Sequence, residues 1–134
     1  MTHRRDPIYY PIIGVEKLTM SKLMREAAIL RTMKGVYPGV LDCEMTRGGL
    51  HRFHLVVSIK KTRAADEGLQ RNAAIAAITA LKDLDNIILV DDDIDIRDPE
   101  MVEWARASRC DPADDVVILK DVQTTILDPS TIEI

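Results

Sequence analysis

The sequence predicts an α/β fold, a three-layer α/β/α sandwich built on a mixed sheet. Three observations support this prediction. A Gly-Gly turn joins two β-rich runs, helical and strand-like segments then alternate along the chain, and the run at 87–90 is uninterruptedly apolar. An unbroken apolar run is typical of a central strand that is covered on both faces. The predicted order is α, β, β, α, β, α, β, within a single domain that spans residues 1–134.

The first predicted helix covers residues 18–35. Thr19 or Ser21 can cap its start, and Gly35 lies where a C′ glycine is expected. The spacing of the apolar residues predicts a shared helix face that contains Leu23, Ala27 and Leu30.

A β-hairpin is predicted after this helix, from the runs at 40–46 and 50–59. Gly48 and Gly49 separate the two runs, as expected for a turn. The second run alternates in polarity, so its apolar residues should face one side of the sheet; they are Phe53, Leu55, Val57 and Ile59.

The second half of the chain alternates between helices and strands. Residues 64–82 form an alanine-rich helix, and the strand at 87–90 follows it. Asp98 and Pro99 are typical of a helix start, with Asp at the N-cap and Pro at N1. The last predicted strand lies at 115–122.

The composition excludes several classes of function. The chain has 134 residues and a net charge of −4 without a basic stripe, which disfavours binding to nucleic acid. No apolar run approaches the ~20 residues of a membrane span, and the N-terminus lacks the apolar core of a signal peptide. A cytoplasmic protein is therefore expected, in which Cys43 and Cys110 are free thiols.

The most unusual local feature is an acidic turn, residues 91–95, with the sequence DDDID. Asp91, Asp93 and Asp95 would lie on one side if the strand continued, where three carboxylates could hold Mg²⁺ or Ca²⁺. A structural role is favoured instead, with the carboxylates balanced by the nearby cations Arg97, Arg106 and Arg109. A contact with a partner chain or with the polar end of a ligand also stays open.

Self-contained catalytic motifs are absent from the sequence. It has no nucleophile elbow, no phosphate-binding P-loop and no dinucleotide-binding glycine pattern. The residues alone therefore predict an α/β domain without a complete active site.

Several segments together resemble one known family. They are HRRDPIYYPIIG, MREAAIL, PGVLDCEM, a Gly-Gly turn, HLVVSIKK, an alanine-rich helix, VDDDIDIRDPEMVEWARASRCDP and LDPS. In this combination they resemble the C-terminal domain of UbiD-type decarboxylases, along nearly the whole chain.

The resemblance implies an α/β domain that accompanies a separate catalytic domain. Members of the family interconvert aromatic or α,β-unsaturated carboxylic acids with their decarboxylated products, using prenylated FMN, Mn²⁺ and K⁺. Their catalytic trio and metal ligands belong to the catalytic domain, so no residue here inherits either role, and this chain is expected to bind no cofactor alone. The expected partner is a larger UbiD-like catalytic subunit, within an oligomer.

The resemblance also implies peripheral contacts with the cofactor and the substrate. A basic residue near the start of the alanine-rich helix would reach the flavin phosphate; Arg71 matches best, with Lys60 and Lys61 close by. The segment after the last strand would line the substrate pocket, which nominates Thr125 and Leu127.

Three hypotheses follow. The chain is the small subunit of a split UbiD-type decarboxylase or carboxylase, or it is a stand-alone oligomeric or regulatory scaffold without catalysis. The third is an independent metal-dependent enzyme that uses Asp91, Asp93 and Asp95.

Overall fold

The computed structural model describes residues 15–123 and residue 125, with side chains from residue 20 onward. The elements, in chain order, are helix α1 (Val15–Val36), strand β1 (Val40–Met45), strand β2 (His54–Ile59), a 3₁₀ turn (Ala64–Asp66), helix α2 (Leu69–Ala80), strand β3 (Asn86–Asp91) and helix α3 (Pro99–Arg109).

The three strands form a mixed sheet in the order β1-β2-β3. β1 pairs with β2 antiparallel, so the predicted hairpin is confirmed. β2 pairs with β3 in parallel, and α2 is the crossover between them.

The side chains of the two parallel strands alternate between two apolar clusters, one on each face. Leu55, Val57 and Ile59 of β2 pack with α1 and α2, whereas Val56 packs with α3. β3 follows the same period, since Ile87 and Leu89 face α1 and α2. The predicted three-layer arrangement with a mixed sheet is confirmed.

The hairpin loop is longer than predicted, because β2 begins at His54 rather than at residue 50. Leu50 and His51 have left-handed backbone conformations, with φ of 56° and 53°. Gly49 is required in this loop, since a Cβ atom there would lie 2.5 Å from the Cβ atom of His54.

Helix α1 buries a different face from the one predicted. Leu23 and Ala27 are exposed, whereas Ile29 and Met33 are fully buried. The polar side of the helix explains this orientation, because Glu26 Oε1 accepts a hydrogen bond of 2.7 Å from the backbone of Met45. Polar groups therefore fix the rotation of α1 against β1, and apolar residues are left exposed. The helix also extends past both predicted ends, so Thr19, Ser21 and Gly35 lie inside it rather than at its caps.

Helix α2 starts later than predicted. Gly68 has φ of 90°, a left-handed conformation that separates the 3₁₀ turn from the helix. Ala73 and Ala77 are completely buried, and their small side chains let α2 pack closely against α1.

The predicted strand at 115–122 is wrong, because these residues join no sheet and are exposed. As a consequence β3, predicted as a central strand, is an edge strand of the sheet that the described residues form. The turn after α3 explains the difference: the backbone N–H groups of Asp114 and Asp115 donate to the carbonyl oxygen of Asp111. Arg71 Nη2 also donates to the carbonyl oxygen of Asp114 at 2.7 Å, which ties this turn to the start of α2.

Candidate functional site

The acidic turn is held together by Arg109, at the end of α3. Its guanidinium donates to both carboxylate oxygens of Asp93, at 2.8 and 2.7 Å, and to Asp91 at 3.2 Å. The guanidinium carbon also lies 5.2 Å from the centre of the Trp104 ring, in cation–π geometry. The two hydrogen bonds to Asp93 form a bidentate pair, which fixes orientation better than a single contact does.

Charge pairing shifts both partners in the direction of their ionised forms. The hydrogen bonds from Arg109 lower the pKa of Asp93, and the same bonds raise the pKa of Arg109. Both side chains are solvent-exposed, so the pair contributes little to stability. Its main effect is to orient the acidic turn against the end of α3.

The remaining carboxylates of the turn, Asp92 and Asp95, also have partners, as does Asp98 just after the turn. Asp92 pairs with Lys60 at 3.1 Å, Asp95 accepts from the backbone N–H of Arg97, and Asp98 caps α3 by accepting from the N–H groups of Glu100 and Met101. The predicted N-cap is confirmed.

The cations predicted to balance the turn have different roles. Arg109 balances it as predicted, but Arg97 reaches across to Asp42 of β1 at 2.8 Å, and Arg106 pairs with Glu103. Within the described part of the chain, no group of three His, Cys, Asp or Glu side chains could hold a metal ion. The turn therefore joins β1, β3 and α3.

The start of α2 contains the predicted cofactor contact, Arg71. Its side chain is exposed, and the N-cap Gly68 offers no side chain to the N–H groups of the first helical turn. Beside it Lys61 donates to Glu67 at 2.9 Å, and this bond, together with one from Gln70, lowers the pKa of Glu67. A positive side chain and the positive end of a helix dipole thus share one surface.

The other predicted contacts lie at the far end of the described chain. Thr125 is half-buried, and Leu127 lies outside the described residues. The structure therefore brings Arg71 and Lys61 together but does not test the placement of the substrate-facing pair.

A groove beside β3 was missed by sequence reasoning. It has a volume of about 1250 Å³ and lies between β3, the outer face of α2 and the segment 115–123. The sequence does contain one indication of this groove, the unbroken apolar run VVIL at 116–119, which is typical of a strand covered on both faces. Local residues could not show that this run is not paired with β3.

The two cysteines are free thiols, as predicted. Cys43 lies in the main apolar cluster, where burial raises the pKa of its thiol to about 12. A thiol that stays protonated is a poor nucleophile, so Cys43 has a packing role.

Comparison with known proteins identifies the family. Residues 18–134 match the model of the 3-octaprenyl-4-hydroxybenzoate carboxy-lyase C-terminal domain. The chain belongs to the UbiD family. Its resemblance to UbiD-type enzymes is thereby confirmed, and the match covers the described fold from residue 18 onward.

Curated relatives of this UbiD-family chain include decarboxylases. It is 36% identical over 131 residues to the anhydromevalonate phosphate decarboxylase of Methanothermobacter thermautotrophicus, covering 96% of this chain and 30% of the relative. It is 35% identical over 133 residues to the gallate decarboxylase of Lactiplantibacillus plantarum, covering 97% of this chain and 27% of the relative. The chain thus spans less than a third of the length of these relatives.

A solved structure shows the same fold. The C-terminal part of the UbiD-class enzyme HmfF from Pelotomaculum thermopropionicum, in an evolved dimeric form in complex with prFMN, superposes with a TM-score of 0.73 and 40% identity. The match covers 78% of this chain and 24% of HmfF. No helix among the described residues is both long and apolar enough to cross a membrane.

Proposed function

We propose that this chain is the small subunit of a UbiD-type decarboxylase or carboxylase that acts on aromatic or α,β-unsaturated carboxylic acids. It docks onto a separate, larger catalytic subunit, completes the flavin and substrate pocket, and contributes to the oligomer in the cytoplasm. The observation that carries this proposal is a family match that covers residues 18–134 but only the C-terminal domain of the family.

In this proposal the catalytic subunit holds prenylated FMN, Mn²⁺ and K⁺. The flavin supplies an electron sink for the loss or gain of CO₂. The complex of HmfF with prFMN supports the choice of flavin.

Arg71 is proposed to contact the flavin phosphate. The start of α2 fits an anion on two grounds: its exposed guanidinium is positive, and no side chain caps the first N–H groups of the helix. Lys60 and Lys61 are adjacent and pair with Asp92 and Glu67, and Arg71 itself donates to the carbonyl oxygen of Asp114. Thr125 and Leu127 are proposed to line the substrate pocket at the end of the segment that follows α3.

Co-expression tests this function. The chain and a UbiD-type catalytic subunit from the same organism should co-purify, and decarboxylation should require both. Arg71→Ala should lower the flavin retained by the complex after gel filtration, whereas Arg31→Ala, an exposed arginine on α1, should leave it unchanged.

Two results would contradict the proposal: a catalytic subunit that is fully active alone, or the absence of a stable complex. A homogeneous homo-oligomer that ignores the catalytic subunit would favour the alternative, a stand-alone scaffold or regulatory protein.

A further inference from the structure

The two edges of the sheet differ in how well they are protected. β1 carries a register irregularity between Val40 and Asp42, and charged Asp42 and Glu44 follow it. Bulges and charges are devices by which proteins keep an edge strand from pairing with another chain. β3 has the sequence NIILVD, with four consecutive apolar residues and no irregularity in its pairing to β2. Among residues 15–123 and 125, no strand pairs with the outer edge of β3, so this edge is the one open to a further strand.

The segment opposite this edge is also unpaired. No backbone hydrogen bond joins residues 116–123 to another described residue. Its apolar side chains are 41% to 75% exposed; they are Val116, Val117, Ile118, Leu119 and Val122. In an extended conformation, the consecutive residues 116–119 would place apolar side chains on both sides of the chain. Such a pattern is expected of a strand that is covered on both faces, not of a solvated loop.

The groove between β3 and this segment has the dimensions of one strand. Its walls include Ile75 and Ile78 of α2 and Ala105 of α3. A six-residue strand is about 20 Å long. Because neighbouring strands lie about 4.8 Å apart and stacked layers about 10 Å apart, such a strand occupies roughly 950 Å³. The groove volume of about 1250 Å³ can hold such a strand. The start of the segment is tied to the first turn of α2, because Arg71 donates to the carbonyl oxygen of Asp114.

We infer that this groove binds an extended segment of the catalytic subunit, which adds to β3 as a fourth strand; this inference rests on the proposed function. Pairing along a free sheet edge is an established mode of recognition, in which main-chain hydrogen bonds give affinity. Two observations select the catalytic subunit as the occupant. Most of the length of the relatives lies outside this chain. The segment that forms one wall also continues directly to Thr125, which the proposed function places against the catalytic subunit.

Matched substitutions of exposed apolar residues test the inference. Leu119→Asp and Ile75→Asp place a charge on two walls of the groove, at residues that are each 41% exposed. Leu41→Asp on β1 is the control, since Leu41 is 43% exposed at the protected edge of the same sheet. Thermal unfolding of each lone variant verifies that it folds, and binding to the catalytic subunit is then measured by titration.

The groove variants are expected to weaken binding by about tenfold or more, the effect of losing a well-placed interface residue. The Leu41→Asp variant should bind like the wild type. If the groove variants bind and support activity like the wild type, the proposed function stands and the groove inference fails. If the wild-type chain does not bind the catalytic subunit at all, both fail. If the wild-type chain forms a dimer on its own and Leu119→Asp dissociates this dimer, the groove binds a second copy of the chain and the inference is overturned.

Discussion

At the scale of single residues, the pair between Arg109 and Asp93 gives a pH-dependent prediction. Bidentate hydrogen bonding from Arg109 lowers the pKa of Asp93 in the folded chain. The pair therefore stabilises the fold fully at pH values above the pKa that Asp93 has in the unfolded chain. This contribution is lost as the pH falls through the lower, folded-state pKa. Because both groups are exposed, the effect should be small and should decrease with added salt.

An NMR titration of the Asp93 carboxyl carbon checks this prediction. Arg109→Gln should raise the pKa of Asp93 to its ordinary range, and Arg106→Gln should not, because Arg106 pairs with Glu103 instead. An Asp93 pKa that is the same in wild type and Arg109→Gln would contradict it.

Residue roles were predictable where the signal is local. Asp98 was identified as an N-cap because the cap, the following proline and the first-turn acid are adjacent in sequence. The partner of Arg97 was not predictable, since Asp42 is far away in sequence and only the sheet brings the two together. The preference for a structural role of the acidic turn agrees with the ion pairs that it makes.

At the scale of elements, the packing of α2 against α1 depends on alanine. Ala77 is completely buried, so Ala77→Leu forces extra atoms into a closed interface and should lower the free energy of unfolding by about 1–3 kcal/mol. Ala80→Leu adds the same atoms at an exposed position and should change it by less than about 0.5 kcal/mol.

Urea unfolding followed by circular dichroism measures both values. Equal free energies of unfolding for the two variants would contradict the prediction. They would mean that α1 and α2 are not closely packed at Ala77 in the lone chain.

The existence of each helix and of the first three strands was predictable, because apolar periodicity is a local property. The buried face of α1 was not. Its exposed residues include Met20, Leu23 and Met24, and a helix with apolar residues on two faces gives no single answer about which one faces the sheet. The segment 115–122 has strand-like residues, but pairing to β3 is a tertiary event that the local residues do not determine.

At the scale of the whole molecule, the chain has a well-packed core but incomplete surfaces. One apolar cluster lies on each face of the sheet, whereas β3 and the segment 115–122 remain open on the same side. The sequence could indicate that catalytic motifs were absent. It could not locate the open surface beside β3, because a strand can be recognised as an edge strand only when the strand order is known.

Hydrogen exchange of the lone chain tests this division between core and open surface. Amides in β2, which is paired on both sides, should exchange only through large openings of the fold. Amides of residues 116–123 have no backbone partner among the described residues and should exchange at nearly the rate of an unfolded peptide. Mass spectrometry of peptic fragments compares the two regions, with α3 as an internal reference for a surface helix. If residues 116–122 were protected as strongly as β2, they would form a fourth strand in the lone chain. The groove would then already be closed before any partner binds.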